Sequence, residues 1–426
     1  MRIDWRRPVW ALHVLIVGLA LHNLVMSELW RAGVRGGALT VISAWKDVLL
    51  LIALVLVLPR LRLETRADWL AFVFGLFVVV YGLLPQSWLG GGATHKGVLY
   101  AARHDLLPVG AYFLGRGLAL TGQERSRLCR TVLWTAAGVA AFGLIDVYAV
   151  PLSYWRGSAG WFKDQLGLDY GRGVSNLPQN FVYNAGNDVV FRRLTSTFLS
   201  PLATAYLLVV ALFFIPLRTR WGLALGALLF AAILWSHTRA ALIALVAALL
   251  LLALVRRAWR PAVFAVVVLA ISLAFVSGYT HFGPRTHFTA AEAKAQKQNA
   301  EQHPQQSNDA TSANESSIHE HLVSLWDGTK SVVKHPWGYG LGNSGVTAER
   351  TNVTVVAGES TYTELGVETS IAGALVFIAW CIVLLLDRLR DRRWLAAAFF
   401  AVLVIGLQTD VIGVPWIAVT VWALVA

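Results

Sequence analysis

A run of about 20 apolar residues can cross the ~30 Å hydrocarbon core of a bilayer as a helix. This chain has twelve apolar runs of that kind, some of them short: residues 9–26, 45–58, 69–85, 98–119, 131–150, 195–215, 221–236, 239–255, 261–278, 362–386, 394–408 and 411–425. In lipid the backbone must satisfy its own polar groups, so such runs fold as helices. The expected fold class is an all-α integral membrane protein. It has about twelve transmembrane helices in a single polytopic domain over 1–426. Composition agrees: 57% of the 426 residues are hydrophobic and 14% are charged, where a soluble domain carries about 25% charged residues. The basic start MRIDWRR is like the head of a signal peptide. No small-residue cleavage site follows in LHNLVMSELW (21–30), so the first run is expected to be a retained span.

The net charge of +12 raises the question of a nucleic-acid partner, and the placement of the charges answers it. Alternate gaps between runs, counted from the N-terminus, hold Arg2, Arg6 and Arg7; Arg60, Arg62 and Arg66; Arg125, Arg127 and Arg130; Arg218 and Arg220; Arg256, Arg257 and Arg260; and Arg388, Arg390, Arg392 and Arg393. The short gaps of the other set hold only Arg31, Arg35, Lys96 and Arg239. Lys and Arg concentrate in cytoplasmic loops. Both termini are therefore expected in the cytoplasm, and the positive charge reads as a topology signal, with no nucleic acid as partner. Two cysteines, Cys129 and Cys381, give neither a disulfide framework nor a metal spacing.

Two segments on the expected outer side are long, 151–193 and 279–361. The second, a large periplasmic or extracellular loop between spans 9 and 10, contains AAEAKAQKQNAEQHPQQSNDATSANESS. Residues 289–317 are too polar to bury a core and are expected to be flexible. Past them, Ile318, Leu322, Leu325 and Trp326 recur at helical intervals, which predicts a short amphipathic helix near 318–333 on the membrane surface.

Ionisable residues inside spans are costly and usually face a cavity. Here they gather at one end of the helices. Arg103, His104 and Asp105 fall in the first turns of the fourth run, and Asp146 in the last turn of the fifth. Arg192 and Arg193 precede the sixth, Arg239 sits in the tight join WSHTRAAL between the seventh and eighth, and Asp410 lies between the last two. Singly, each also reads as a helix-end anchor or as half of an internal ion pair, such as Arg103 with Asp105 or Asp146. Together, on one side, they point to a site. Arginine forks bind phosphate in bidentate fashion and keep their charge when partly buried. Arg193, Arg239, Arg192 and Arg103 are thus candidates to bind a diphosphate. Arginine can also stabilise a departing diphosphate without a metal, and no metal ligand set or cofactor is expected. Asp146 and His104 are candidate lining of the substrate cavity.

Four stretches resemble one family. They are RLTSTFLSP (193–201), with arginine ahead of a small-residue run and a proline; SHTRAAL (236–242), a Ser/Thr-Arg-small turn; HPWGYGLG (335–342), a His-Pro-aromatic-Gly-x-Gly loop; and ESTYTELGVETSIAG (359–373), a polar entry into a late span. In this order, with the long loop between the second and third, they look like the O-antigen ligase and O-antigen polymerase superfamily over about 190–385. The resemblance implies transfer of a glycan from a polyprenyl (undecaprenyl) diphosphate carrier to an acceptor glycan or glycolipid hydroxyl. The reaction would be metal-independent, on the outer face of the inner membrane. It implies that Arg193 and Arg239 bind the diphosphate and that Tyr362 and Glu368 shape the cavity. The chain departs from the ligases at the fourth motif. Their proposed base, a histidine, is followed by Asn, Ser or Gln, nine residues and a glycine. Here those positions are Glu359, Ser360 and Ser370.

Glu359 is therefore the expected general base. A positioned carboxylate can take the proton of an attacking hydroxyl, although an acid there also suits a helix N-terminus. His335 is the rival base, or else a residue that shapes the loop before Pro336. Two other classes compete with a transferase. A polysaccharide flippase or transporter calls for polar groups near the bilayer midplane and often internal repeats. An assembly scaffold would not need arginines among apolar helices.

Overall fold

The computed structural model describes residues 7–158, 160–168, 177, 180–184, 189–302, 316–356 and 360–426. In chain order the helices are α1 (Val9–Arg31), α2 (Gly36–Ser43), α3 (Trp45–Val57), α4 (Arg66–Leu83), α5 (Gln86–Leu89), α6 (His95–Leu118), α7 (Gly122–Ala149), α8 (Leu152–Arg156), α9 (Pro201–Leu212), α10 (Arg220–Ser236), α11 (Arg239–Arg256), α12 (Trp259–Phe282), α13 (Ala290–Gln302), α14 (Ser316–Lys334), α15 (Gly345–Arg350), α16 (Thr361–Asp391), α17 (Arg393–Ile405), α18 (Pro415–Ile417) and α19 (Ala423–Val425). Each of the twelve apolar runs contains helix, although 411–414 and the ends of 195–215 are turns or coil. Seven helical stretches are long and apolar enough to cross a membrane: α1, Gly36–Arg60, α4, α7, α11, α12 and α16. The apolar helices α9, α10, α17 and Pro415–Val425 are shorter. α6 has 24 residues but carries Lys96, Arg103, Asp105 and Arg116. Length and composition thus support seven crossings of the twelve expected.

The helices begin where the sequence supplies caps. Thr65 and Asp68 form a reciprocal capping box at α4, and Thr94, Ser200 and Thr219 each accept a backbone N–H at the start of α6, α9 and α10. Many large apolar side chains face outward, Leu83 at 80% and Leu254 at 75% exposure. Bare side chains of this kind suit lipid rather than water. Trp221 and Trp259, beside Arg220 and Arg260, are also exposed, as expected of aromatic anchors at a membrane interface.

The chain divides into two compact units. The first comprises Met1–Leu19, Ala44–Val132 and His321–Ala426. Its core is aromatic: Phe74 of α4 packs on Phe377 of α16 with centroids 5.0 Å apart, and Tyr112 of α6 meets Trp380 at 5.3 Å. Fully buried Asp68 is held by Tyr112 Oη at 2.7 Å and by both Nε (2.8 Å) and Nη2 (3.0 Å) of Arg116, which ties α4 to α6. The second unit comprises Ala20–Ser43 and Leu133–Glu320. Among the described residues it contains the one departure from an all-α fold, a three-stranded antiparallel sheet of β1 (Val182–Asn184), β2 (Val189–Arg192) and β3 (Arg285–His287). Val, Tyr and Phe dominate β1 and β2, as strand preference requires. In the same unit Ala290–Gln302, expected to be part of a flexible segment, is helix α13. Its Glu292 is buried and takes two bonds from Arg156 Nη2, at 3.0 and 2.8 Å, and one from Thr289 N. Ala, Glu, Gln and Lys are strong helix formers, and one buried ion pair anchors them. Residues 303–315 lie outside the described residues. The amphipathic helix expected near 318–333 is α14.

One local arrangement in the first unit shapes everything near the fourth motif. α16 is interrupted at Ser370, with φ 77° and ψ 166°. A regular helix would join Ile371 N–H to Val367 C=O. Instead Tyr339 N–H donates to Val367 O (2.6 Å) and Ile371 N–H donates to Pro336 O (2.9 Å). The HPWGYGLG loop has been inserted into the helix ladder and satisfies both freed groups, as buried backbone in lipid demands. The loop can approach this closely because Gly338, at φ +73°, has no Cβ; one would strike Ser370 N and Val367 O. The Ser370 conformation belongs to glycine, and its cost for other residues is about 1–3 kcal/mol. Ser370 Oγ accepts from Gly373 N–H (3.3 Å) and offsets part of that. Ser370→Gly is therefore expected to raise the thermal unfolding temperature in detergent, since losing the cap to glycine costs only a few tenths of a kcal/mol. Ser370→Val should lower it. A lower melting point for Ser370→Gly would mean that the cap outweighs the strain.

Candidate functional site

The arginines of the second and first motifs come together in the second unit. The α10–α11 turn needs a left-handed residue, which is His237 at φ 51°. The carbonyls that end α10 then point out of the helix. Arg193 meets them: its Nε donates to Ser236 O (2.9 Å) and its Nη2 to His237 O (3.3 Å) and Thr238 Oγ1 (3.3 Å). Its backbone is pinned as well, Arg193 N–H to Phe181 O and Leu194 N–H to Trp235 O, both 3.0 Å. The segment after it is buried and bonded outward, Ser196 Oγ to Val139 O (2.6 Å) and Thr197 Oγ1 to Ala20 O (2.7 Å). Arg239 follows as the first residue of α11. Between them in the chain, with Arg239 two residues on, His237 is buried and its carbonyl accepts from Arg193. Its ring is held against Tyr183 (4.3 Å) and Tyr279 (4.7 Å). Burial, and then the positive charges of Arg193 and Arg239, push its pKa down to about 3, so the ring is neutral at physiological pH. This turn brings two cations to a neutral histidine packed among aromatic rings, an arrangement that suits an anionic group.

Arg192 is placed differently. It is buried and lies 3.4 Å from Asp146 Oδ2, with a further bond to Val150 O. Asp146 also accepts from Trp155 Nε1 at 2.8 Å. A carboxylate thus compensates the cation inside the protein, and the pair fills the role of an internal brace rather than an open binding group. Arg103, in the first unit, is half-exposed and pairs with Asp47 at 2.8 Å, not with Asp105 or Asp146.

The first unit carries an acidic recess. His104 of α6 bridges two carboxylates, Nδ1 to Asp105 Oδ1 (2.8 Å) and Nε2 to Asp410 Oδ2 (2.6 Å). Asp410 is fixed by Thr361 Oγ1 (3.3 Å), Ile412 N–H (3.2 Å) and Gly413 N–H (3.0 Å). Glu364 and Glu368, one turn apart on α16, line the same space with Thr347, Leu365 and Ile412. Glu368 is buried, and its Oε1 accepts from Gly342 N–H (2.9 Å) and Ser344 Oγ (3.0 Å). The glycine loop thus both opens α16 and holds its glutamate. Among the described residues no group of three or more His, Cys, Asp and Glu is arranged to hold a metal ion.

Of the residues expected to line a cavity, His104 and Glu368 meet in this recess. Tyr362 does not; its hydroxyl donates to Leu403 O at 2.8 Å, which ties α16 to α17. His335 donates through Nε2 to Leu89 O (2.9 Å) and stacks on Tyr339 at 4.2 Å. That bond fixes the tautomer and leaves Nδ1 as its acceptor nitrogen. Glu359 lies outside the described residues. Glu364 is the group that sequence reading missed. Its spacing from Glu368, four residues along a helix, was a legible signal that both share a face.

Residues 224–365 match the family model described as O-antigen ligase. The matched stretch begins in α10, includes the α10–α11 turn with Arg239 and the glycine loop but not Arg193, and ends at Leu365, the fifth residue of α16. No curated protein matches the chain.

Proposed function

We propose, for a chain that belongs to the O-antigen ligase superfamily, that it moves a glycan from a polyprenyl diphosphate carrier to an acceptor hydroxyl. The carrier is undecaprenyl diphosphate or a close analogue. The reaction takes place on the outer face of the cytoplasmic membrane, with both termini inside. One observation carries this reading: Arg193 is bonded to the carbonyls of Ser236 and His237 in the turn that Arg239 closes as the first residue of α11. The fixed guanidinium of Arg193 and that of Arg239 can neutralise a diphosphate as its bond to the anomeric carbon breaks. The acceptor oxygen forms the new bond to that carbon, the diphosphate leaves with the electron pair, and the hydroxyl proton passes to Glu359.

The direct test is to incubate the purified protein with polyprenyl-diphosphate oligosaccharide and an acceptor and to follow chain growth or transfer. A protein that moves intact lipid-linked glycan across vesicles without making a new glycosidic bond is a transporter, and the reading fails. The arginines also set an expectation about metals. Transfer should be unchanged in excess EDTA. Full loss of activity in EDTA, restored by added Mg²⁺ or Mn²⁺, would reassign charge neutralisation to a cation.

A further inference from the structure

Four carboxylates, Asp105, Glu364, Glu368 and Asp410, line the recess in the first unit with His104, Thr347 and Thr361, and among the described residues no lysine or arginine lines it. His104 spends both ring nitrogens on Asp105 Oδ1 and Asp410 Oδ2. Asp105 is 1% exposed, and no N–H or hydroxyl donor among the described residues reaches its Oδ2, whose neighbour is the Glu368 carboxyl. Glu368, 5% exposed, commits Oε1 to the glycine loop. Glu364 completes the set; its carboxylate lies over Gly345, where a Cβ would collide with it. The space between these groups admits a single water-sized group. Buried carboxylates are rarely left without a compensating partner.

We propose that this recess is a specificity pocket for a protonated primary amine. An ammonium is water-sized, carries the missing positive charge, and offers three N–H donors to Asp105, Glu364 and Glu368. A hydroxyl offers one donor, and a phosphate or carboxylate offers none and is repelled. The amine belongs to an amino sugar of the acceptor glycan or to an aminoethyl lipid headgroup; both present the same chemistry. The role in acceptor choice rests on the glycan-transfer reading above, but amine binding itself does not.

The test uses the full-length protein in detergent at neutral pH, with ethanolamine, N-acetylethanolamine and ethylene glycol as probes. Ethanolamine alone should raise the unfolding temperature. Asp105→Asn and Glu364→Gln should each weaken its binding by about ten-fold or more, the usual worth of a charge-assisted hydrogen bond. Asp105→Asn disturbs the His104 bridge, whereas Glu364→Gln keeps shape and tests charge alone. A preference in transfer for a free-amine acceptor over its N-acetylated form assigns the amine to the glycan. Stabilisation in phosphatidylethanolamine vesicles over phosphatidylcholine ones assigns it to lipid. Equal response to ethanolamine and ethylene glycol, or to none of the probes, overturns the proposal and leaves a recess closed by its own protons. Ethanolamine binding in a protein that transfers no glycan leaves the pocket standing and sinks the transferase reading instead.

Discussion

Arg239→Ala is expected to abolish glycan transfer while the protein still inserts and melts normally. Removing one preorganised donor to a developing negative charge typically costs about 10²–10³ in rate, and in the proposed reaction that charge is a departing diphosphate. Arg193→Ala should be equally inactive but less stable. Its guanidinium also holds the carbonyls of Ser236 and His237 that end α10, and those would be left exposed inside the fold. The two defects separate by experiment. Arg193→Lys keeps the charge but lacks the planar fork, so it should recover little activity and little stability. A melting curve distinguishes Arg193 from Arg239, and a transfer assay groups them. Near-wild-type transfer by either alanine variant would remove that arginine from the donor site.

Glu359→Gln keeps size and hydrogen bonding and cannot accept a proton. A drop of roughly 10²–10⁴ in transfer is expected, the usual span for loss of a general base, with carrier binding retained. Glu359→His should keep partial activity, because it restores the residue type of the ligases at that position. The comparison that decides is His335→Ala in the same assay. His335 holds Leu89 O and stacks on Tyr339, so its loss should loosen the glycine loop and act on stability as well as rate. If Glu359→Gln transfers normally and His335→Ala is dead at unchanged melting temperature, the proton goes to His335 Nδ1.

Most of the helical architecture was legible because apolar runs have one way to satisfy their backbone in lipid. What stayed hidden depended on partners distant in sequence. Arg192 and Asp146 read as two polar groups at helix ends, and nothing local says that they close on each other. α13 was lost for a different reason. Its polar composition argues against a core, but a helix of Ala, Glu, Gln and Lys needs no core, only the anchor at Glu292. The strands β1 and β2 are three and four residues long, too short for alternation to show. The loss of glycine at Ser370 was visible in the sequence. That it marks a break in a helix was not, because the break is made by a loop some thirty residues earlier.

That break has a mechanical consequence. Val367 O and Ile371 N are bonded to Tyr339 and Pro336, so lifting the loop would strand two peptide groups inside a helix. Residues 336–342 therefore move with α16 as one rigid body and cannot serve as a lid. The amides of Tyr339, Gly342 and Ile371 should be among the slowest to exchange with deuterium in the whole loop region. Any opening that admits a substrate must hinge elsewhere.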